Sequence, residues 1–165
     1  MAAAPLALHI RQDDLQDARI EAFMHEHLRD MHATSPPESV HALDMVRLRQ
    51  PDIRFWTAWT ADAQAAAPGQ LAGTAALKHL DTDHAELKSM RTAAALRGQG
   101  VARALLEHLL GQAVDLGYTR ISLETGTQAF FAPAHQLYLR YGFADCAPFG
   151  DYRPDPHSRY MTRTL

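Results

Sequence analysis

The apolar residues that follow position 100 recur at the spacing of an α-helix. Val101, Leu105, Leu109 and Ala113 fall on one stripe, and polar side chains take the opposite side. Gly117 stands where a left-handed residue commonly ends a helix. This pattern predicts a long amphipathic helix that stops just before Gly117.

Shorter apolar and β-compatible runs predict seven strands. They cover residues 6–12, 53–61, 71–80, 85–92, 118–125, 143–149 and 159–165. In the fourth of these runs Glu86, Lys88 and Thr92 share one face with Met90, so the hydrophobic alternation is interrupted. We therefore expect a β-bulge in this strand.

Two further helices are predicted, one between the first two strands and one between the fifth and sixth. The first begins at the caps Asp13 and Asp14 and ends between residues 31 and 34, before two prolines; the other covers residues 130–141. Residues 39–49 fit either a helix or a structured loop. We predict turns at the alanine-rich residues 64–67 and at residues 68–69.

The order of these elements indicates the fold class. Helices alternate with strands, and a run of hairpin strands lies in the middle of the chain, which implies a mixed sheet with helices on both faces. A chain of 165 residues is expected to form a single domain over residues 1–165, with enough buried surface to need no disulfide or metal.

Composition narrows the function classes. A net charge of -3 argues against a nucleic-acid groove or a basic membrane-binding face, so neither partner is expected. The single cysteine, Cys146, excludes an internal disulfide and suits a reducing cytoplasm. No segment resembles a signal peptide or a run of about 20 apolar residues, so we expect a cytoplasmic protein.

The entry to the long helix has unusual chemistry. Residues 97–103 contain two glycines and two arginines, and no carboxylate comes before Glu107. Backbone N–H groups at such an entry are free to bind an anion, and glycine lets a phosphate approach closely. The alternative is that the glycines only permit the helix to start.

Two motifs resemble those of a known family. Arg97, Gly100 and Ala102 after a strand are similar to the acyl-CoA-binding signature of the GNAT (Gcn5-related N-acetyltransferase) superfamily. Residues 137–143, with Tyr138 followed by Gly142-Phe143, resemble that family's second hallmark. The resemblance implies an α/β (α+β) GNAT-like fold, with a mixed sheet of about seven strands that splays between residues 85–92 and 118–125.

The same resemblance implies acetyl-CoA as cosubstrate and an N-acetyltransferase activity by direct transfer in a ternary complex. It implies that the pantetheine arm pairs with backbone at residues 90–92, that an N–H near Met90 faces the thioester oxygen, and that Tyr138 is the acid for the departing sulfur. Phe131 stands where the family often has an asparagine. The residues expected to hold the cosubstrate are Met90, Arg91, Thr92, Arg97, Gly98, Gln99, Gly100, Val101, Ala102 and Arg103.

The general base has several candidates. Glu86 corresponds to a strand carboxylate that many relatives use, although Lys88 on the same face could pair with it and lower its pKa. Glu124 on the neighbouring predicted strand is the substitute. His41 and His135 remain open because an imidazole titrates in the required range.

The acceptor is expected to be a primary amine of a small or amino-acid-like molecule. Glu38 and His41 could form one wall of its pocket, and Phe149, Asp151 and Tyr152 the other. Glu38 could attract an ammonium group, and either Arg47 or Arg54 could hold a carboxylate. An ordinary helix entry at residues 35–42 is the alternative.

Other readings carry less weight. The cluster His25, His27 and His32 lacks a metal-ligand spacing, so no metal is expected. A non-catalytic acyl-CoA-binding module of GNAT shape is the second hypothesis. A dinucleotide-binding domain is disfavoured because the glycine turn follows hairpin strands.

An exposed edge strand could allow a homodimer, and Cys146 is expected to be a structural thiol.

Overall fold

The computed structural model describes residues 4–61 and 69–165. Residues 64–67 and Pro68, where turns are predicted, lie outside the described residues. Within residues 4–61 and 69–165, seven strands form one sheet in the order β1-β2-β3-β4-β5-β7-β6. The strands are β1 (Leu8–Gln12), β2 (Ile53–Thr60), β3 (Leu71–Asp81), β4 (His84–Thr92), β5 (Arg120–Gly126), β6 (Ala144–Asp145) and β7 (Ser158–Thr164). The predicted mixed α/β fold is confirmed.

In the part of the chain that the structure describes, four α-helices accompany the sheet: α1 (Ala18–Thr34), α2 (Met45–Leu48), α3 (Val101–Asp115) and α4 (Ala132–Arg140). The segment 39–49, left open by the sequence, holds only the short α2, and a 3₁₀ turn precedes it at Pro37–Ser39. The predicted helix 130–141 divides into a 3₁₀ turn, Ala129–Phe131, and α4. Within the described residues no helix has the length and apolar character needed to cross a membrane.

The sheet opens between β4 and β5. These two strands pair in parallel, whereas the other neighbours are antiparallel. Their pairing joins residues 84–87 to residues 120–123, although β4 continues to Thr92 and β5 to Gly126. The two strands therefore part at their carboxyl ends, as the family resemblance implied.

Two hydrophobic clusters cover the two faces of the sheet. On one face α1 and α2 bury Ile20, Met24 and Leu48 against β2 and β3. On the other face α3 and α4 pack against apolar residues of β2 to β5, including Leu87 and Leu123. Burial of this apolar surface is the main stabilising term of the fold.

The start of α1 and the extent of β6 differ from prediction. Asp17, not Asp13 or Asp14, caps α1, because Asp13 instead accepts a hydrogen bond from the backbone of Leu15, which has a left-handed φ of 64°. The predicted strand 143–149 was too long, since pairing with β7 covers only Ala144–Asp145. Pro148, further along, lacks the N–H that a continuing ladder needs.

The expected bulge lies at Ser89. Its φ is 55°, and the register with β3 passes from Lys88 directly to Arg91. The irregularity shifts the side-chain alternation, so Arg91 reaches Glu26 and Asp30 of α1 at 3.4 and 2.9 Å. Ser89 and Met90 consequently have no paired residue on β3.

Candidate active site

The entry of α3 is open and lacks a side-chain cap. Gly100 is the N-cap residue with φ 86°, and Gly98 has φ 75°. A Cβ at either glycine would meet no atom within 4 Å, and the first turn contains no acidic residue. The free N–H groups and the helix dipole therefore face open space, which is a suitable seat for an anion.

The two arginines beside this entry have different surroundings. Arg103 donates to Glu107 at 3.0 Å and to the hydroxyl of Tyr141 at 3.1 Å, so part of its charge is offset. Arg97 is exposed, and its guanidinium lies 5.8 Å from the ring centroid of Phe130. Gln99, also predicted at this seat, is exposed and lies outside the cavity lining described next.

A cavity of about 960 Å³ occupies the opening between β4 and β5. It reaches from the α3 entry to α1 and to the loop that carries Tyr152. Both faces of the sheet contribute to it, because Leu87 and Leu123 belong to the α3 side whereas Lys88 and Glu124 point to the α1 side. Of the predicted site residues, those lining it are Met90, Arg91, Thr92, Arg97, Gly98, Gly100, Val101, Ala102, Arg103, Glu124, Tyr138, His41 and Tyr152.

Glu124 carries the most perturbed carboxyl in this cavity. Burial raises its pKa from 4.5 to about 7; the nearby Lys88 ammonium lowers the value, and the Glu86 carboxylate raises it. Its Oε2 atom is buried without a hydrogen-bond partner among the described residues. A carboxyl with this pKa can accept a proton near neutral pH.

Tyr138 lies on α4 with only 6% of its surface exposed. Burial, and then the charge of Glu124, raises the pKa of its phenol. Its ring packs edge-to-face against Phe143, with the ring centroids 5.8 Å apart. The phenol therefore keeps its proton at neutral pH and can donate it.

Glu86 is part of a closed polar network. Its side chain is 2% exposed; Lys88 Nζ donates to it at 3.0 Å, and the Tyr152 hydroxyl donates to it at 2.5 Å. Lys88 also donates to the Tyr152 oxygen at 2.9 Å. Glu86 is not among the residues that line the cavity. The arrangement favours Glu124 over Glu86 as base.

The wall opposite α3 contains His41 and Tyr152, whose rings meet edge-to-face with centroids 4.9 Å apart. Burial and the charge of Lys88 lower the pKa of His41, and burial and Glu86 raise that of Tyr152, so both groups are neutral near pH 7. Ser39 donates to Asp155 at 2.6 Å and ties the two loops together. Glu38 is exposed and lies outside the lining.

Several other candidates lie away from the cavity. Arg47 forms two hydrogen bonds of 2.6 Å with Asp52, and Arg54 is exposed. His135 Nε2 donates to the carbonyl of Gly126 at 2.8 Å. Neither these residues nor Phe149 and Asp151 are among those lining the cavity.

His27 lines the cavity and was not predicted there. Its side chain is 8% exposed, and burial, followed by the charge of Arg91, lowers its pKa to about 4. The helical stripe of Ile20, Met24 and Met31 already contained His27 and could have indicated its burial. Within residues 4–61 and 69–165, no group of three His, Cys, Asp or Glu side chains is arranged to hold a metal ion.

An open helix entry beside a parted sheet is the arrangement that the GNAT resemblance implied for an acyltransferase. The model of the Acetyltransferase (GNAT) family matches residues 13–143, and the chain belongs to this family of N-acetyltransferases.

Relatives that match nearly the whole chain are named as acetyltransferases. The N-acetyltransferase YedL of Escherichia coli is 51% identical over 94% of this chain and 94% of its own. The N-acetyltransferase YsnE of Bacillus subtilis is 48% identical over 96% and 100%. An IAA acetyltransferase of Azospirillum brasilense is 36% identical over 94% and 95%.

Solved structures agree with the fold. An acetyltransferase from Streptococcus agalactiae has a TM-score of 0.70 at 22% identity, covering 96% of this chain and 98% of its own. A Bacillus subtilis acetyltransferase in complex with CoA has a TM-score of 0.65 at 18% identity, covering 96% and 99%.

Proposed function

We propose that this protein is an acetyl-CoA-dependent N-acetyltransferase that transfers the acetyl group directly to a primary amine of a small molecule in a ternary complex. The observation that carries the proposal is the cavity, which passes through the sheet. It joins the α3 entry on one face to the wall of His41 and Tyr152 on the other. Donor and acceptor can therefore meet from opposite sides.

The donor side relies mainly on backbone. N–H groups at Gly98 to Arg103 and the α3 dipole suit the diphosphate, and Arg97 adds positive charge. The backbone of Met90 to Thr92 lies beyond the part of β4 that pairs with β5, so its edge toward the opening suits the pantetheine arm. When bound, acetyl-CoA would supply the activated acetyl group as a thioester. An N–H near Met90 would stabilise charge on the carbonyl oxygen.

Glu124 is the base in this proposal. Its carboxylate takes one proton from the neutral amine as the amine nitrogen forms a bond to the carbonyl carbon, which gives the amide once the carbon–sulfur bond breaks. The raised pKa suits this role, since the carboxylate must be ionised before the step and hold the proton after it. Glu86 keeps Lys88 and Tyr152 in place beside it.

Tyr138 completes the transfer. As the carbon–sulfur bond breaks, the phenol donates its proton to the sulfur, and the phenolate then recovers a proton from solvent. Its burial and its position in the same cavity as Glu124 support this role. The IAA acetyltransferase and CoA complex among the compared proteins support a small acceptor and a CoA donor.

A thiol-release assay tests the proposal. The protein is incubated with acetyl-CoA and a panel of primary amines and amino acids, free CoA is measured, and calorimetry records CoA binding in parallel. Turnover with at least one amine and formation of its amide are expected. Binding without turnover across the panel would favour the non-catalytic module; no CoA binding would refute the proposed donor.

The cellular location and the oligomeric state of the enzyme are also proposals. A cytoplasmic location agrees with Cys146, which is a free thiol. Pairing of two copies through an exposed edge strand stays a prediction that light scattering can check.

A further inference from the structure

Phe130 is an exposed aromatic residue at the mouth of the cavity. It lies in the turn between β5 and α4 and is 46% exposed. The Arg97 guanidinium lies 5.8 Å from its ring centroid, so the two side chains flank the entrance next to the α3 entry.

Packing does not require an aromatic ring at this position. The neighbouring Phe131 anchors the turn, because an added Cβ on Gly126 would come within 2.2 Å of its ring. Phe130 contacts Phe131 at a ring-centroid distance of 5.1 Å but leaves nearly half of its surface in solvent. Unlike the similarly exposed Leu139, Phe130 lines the cavity, so its ring is accessible to a ligand bound there.

The guanidinium of Arg97 is a second flat group next to the Phe130 ring. Among the described residues no carboxylate forms an ion pair with it, and its side chain is exposed. Purine bases stack on phenyl rings and on guanidinium planes. A ring held between the two needs a separation of about 7 Å, twice a contact of ~3.5 Å. Arg97 has to move outward by about 1 Å from its present position, which its exposure permits.

We propose that Phe130, together with Arg97, binds the adenine ring of the donor. The enzyme then discriminates acyl-CoA from thioesters carried on phosphopantetheine alone, which lack the adenosine. This inference rests on the proposed donor, because a diphosphate bound at the α3 entry would leave the adenosine within reach of this entrance, where Arg97 and Phe130 lie.

Calorimetry with two ligands tests the inference. CoA and 4′-phosphopantetheine share the pantetheine arm, but only CoA carries adenine. Both are titrated into the unmodified protein, Phe130→Ala and Phe130→Trp. Leu139→Ala is the matched control, since Leu139 is 44% exposed on the adjoining α4 and does not line the cavity.

The expected result is selective for CoA. Phe130→Ala should weaken CoA binding by about 10-fold and leave phosphopantetheine binding unchanged, while Phe130→Trp and Leu139→Ala keep the original affinities. Equal CoA affinity in Phe130→Ala, or an equal loss for both ligands, would overturn the assignment. Failure of the unmodified protein to bind either ligand would refute the proposed function itself.

Discussion

Replacement of Glu124 by glutamine removes a carboxyl that the fold holds in an unfavourable environment. Burial raises its pKa from 4.5 to about 7, so the folded state binds its proton more tightly than the unfolded state does. Between these two values the folded state therefore binds more protons, and the contribution of Glu124 to stability falls as pH rises. The residue destabilises the protein at alkaline pH and is neutral below about pH 4.5.

The magnitude follows from the same two values. Ionising the buried carboxyl costs about 3 kcal/mol at pH 8 but under about 1 kcal/mol at pH 5. Glu124→Gln removes this cost, whereas any loss from packing the amide is the same at both pH values. The variant should therefore gain about 2 kcal/mol more stability at pH 8 than at pH 5, relative to the unmodified protein.

Urea unfolding of both proteins at pH 5 and pH 8 measures this difference. The same variant should lose about 10²- to 10⁴-fold in kcat/KM, because it has no base to accept the proton of the amine. Activity of the unmodified enzyme should rise with pH through about 7, and this rise should be absent from any residual activity of the variant. An identical stability change at both pH values would refute the buried-carboxyl reasoning, and an unchanged rate would refute the base.

Three further changes test separate parts of the site. Tyr138→Phe should lower kcat by about 10²-fold, because the variant cannot donate a proton to the departing sulfur. Its CoA affinity should change little. Steady-state kinetics and calorimetry measure the two quantities. Gly100→Glu should weaken CoA binding by at least about 10-fold relative to Gly100→Gln. Both substitutions strain the left-handed backbone, but only the glutamate places a negative charge at the α3 entry. Lys88→Met should destabilise the protein by about 3 kcal/mol in urea unfolding, because it leaves the Glu86 carboxylate buried without its ion pair. The double variant that also carries Glu86→Gln should recover most of this stability.

Each of these has an outcome that contradicts it. Full turnover in Tyr138→Phe would remove the phenol from the chemistry. Equal CoA affinity in the two Gly100 variants would mean that the diphosphate binds elsewhere. If Lys88→Met and the double variant unfold at the same urea concentration, the stranded charge is not the source of the loss.

The sequence predicted the parts of the site that depend on local pattern. The stripe of α3, the bare glycine entry and the spacing from Tyr138 to Phe143 are all short-range features, and the structure has α3 and α4 at those positions. The seven-stranded sheet and the opening between β4 and β5 were also expected, the opening only from the family resemblance.

The division of roles between Glu86 and Glu124 could not be predicted in the same way. Both are carboxylates on neighbouring strands with similar surroundings in sequence. They differ because Tyr152, 66 positions after Glu86, folds back and donates to Glu86 rather than to Glu124. Phe130 shows the same limit, since its exposure depends on Phe131 filling the space beside Gly126.

Because the cavity passes through the sheet, the proposed donor and acceptor would enter it from opposite faces. Each product would leave by the route through which its parent arrived, so CoA should compete with acetyl-CoA and the amide with the amine. Neither product should block the opposite route, and a full set of product-inhibition plots would then show pure competition only within each pair. Under the proposed mechanism, the parted strands would give donor and acceptor separate entrances that could be occupied and vacated in either order.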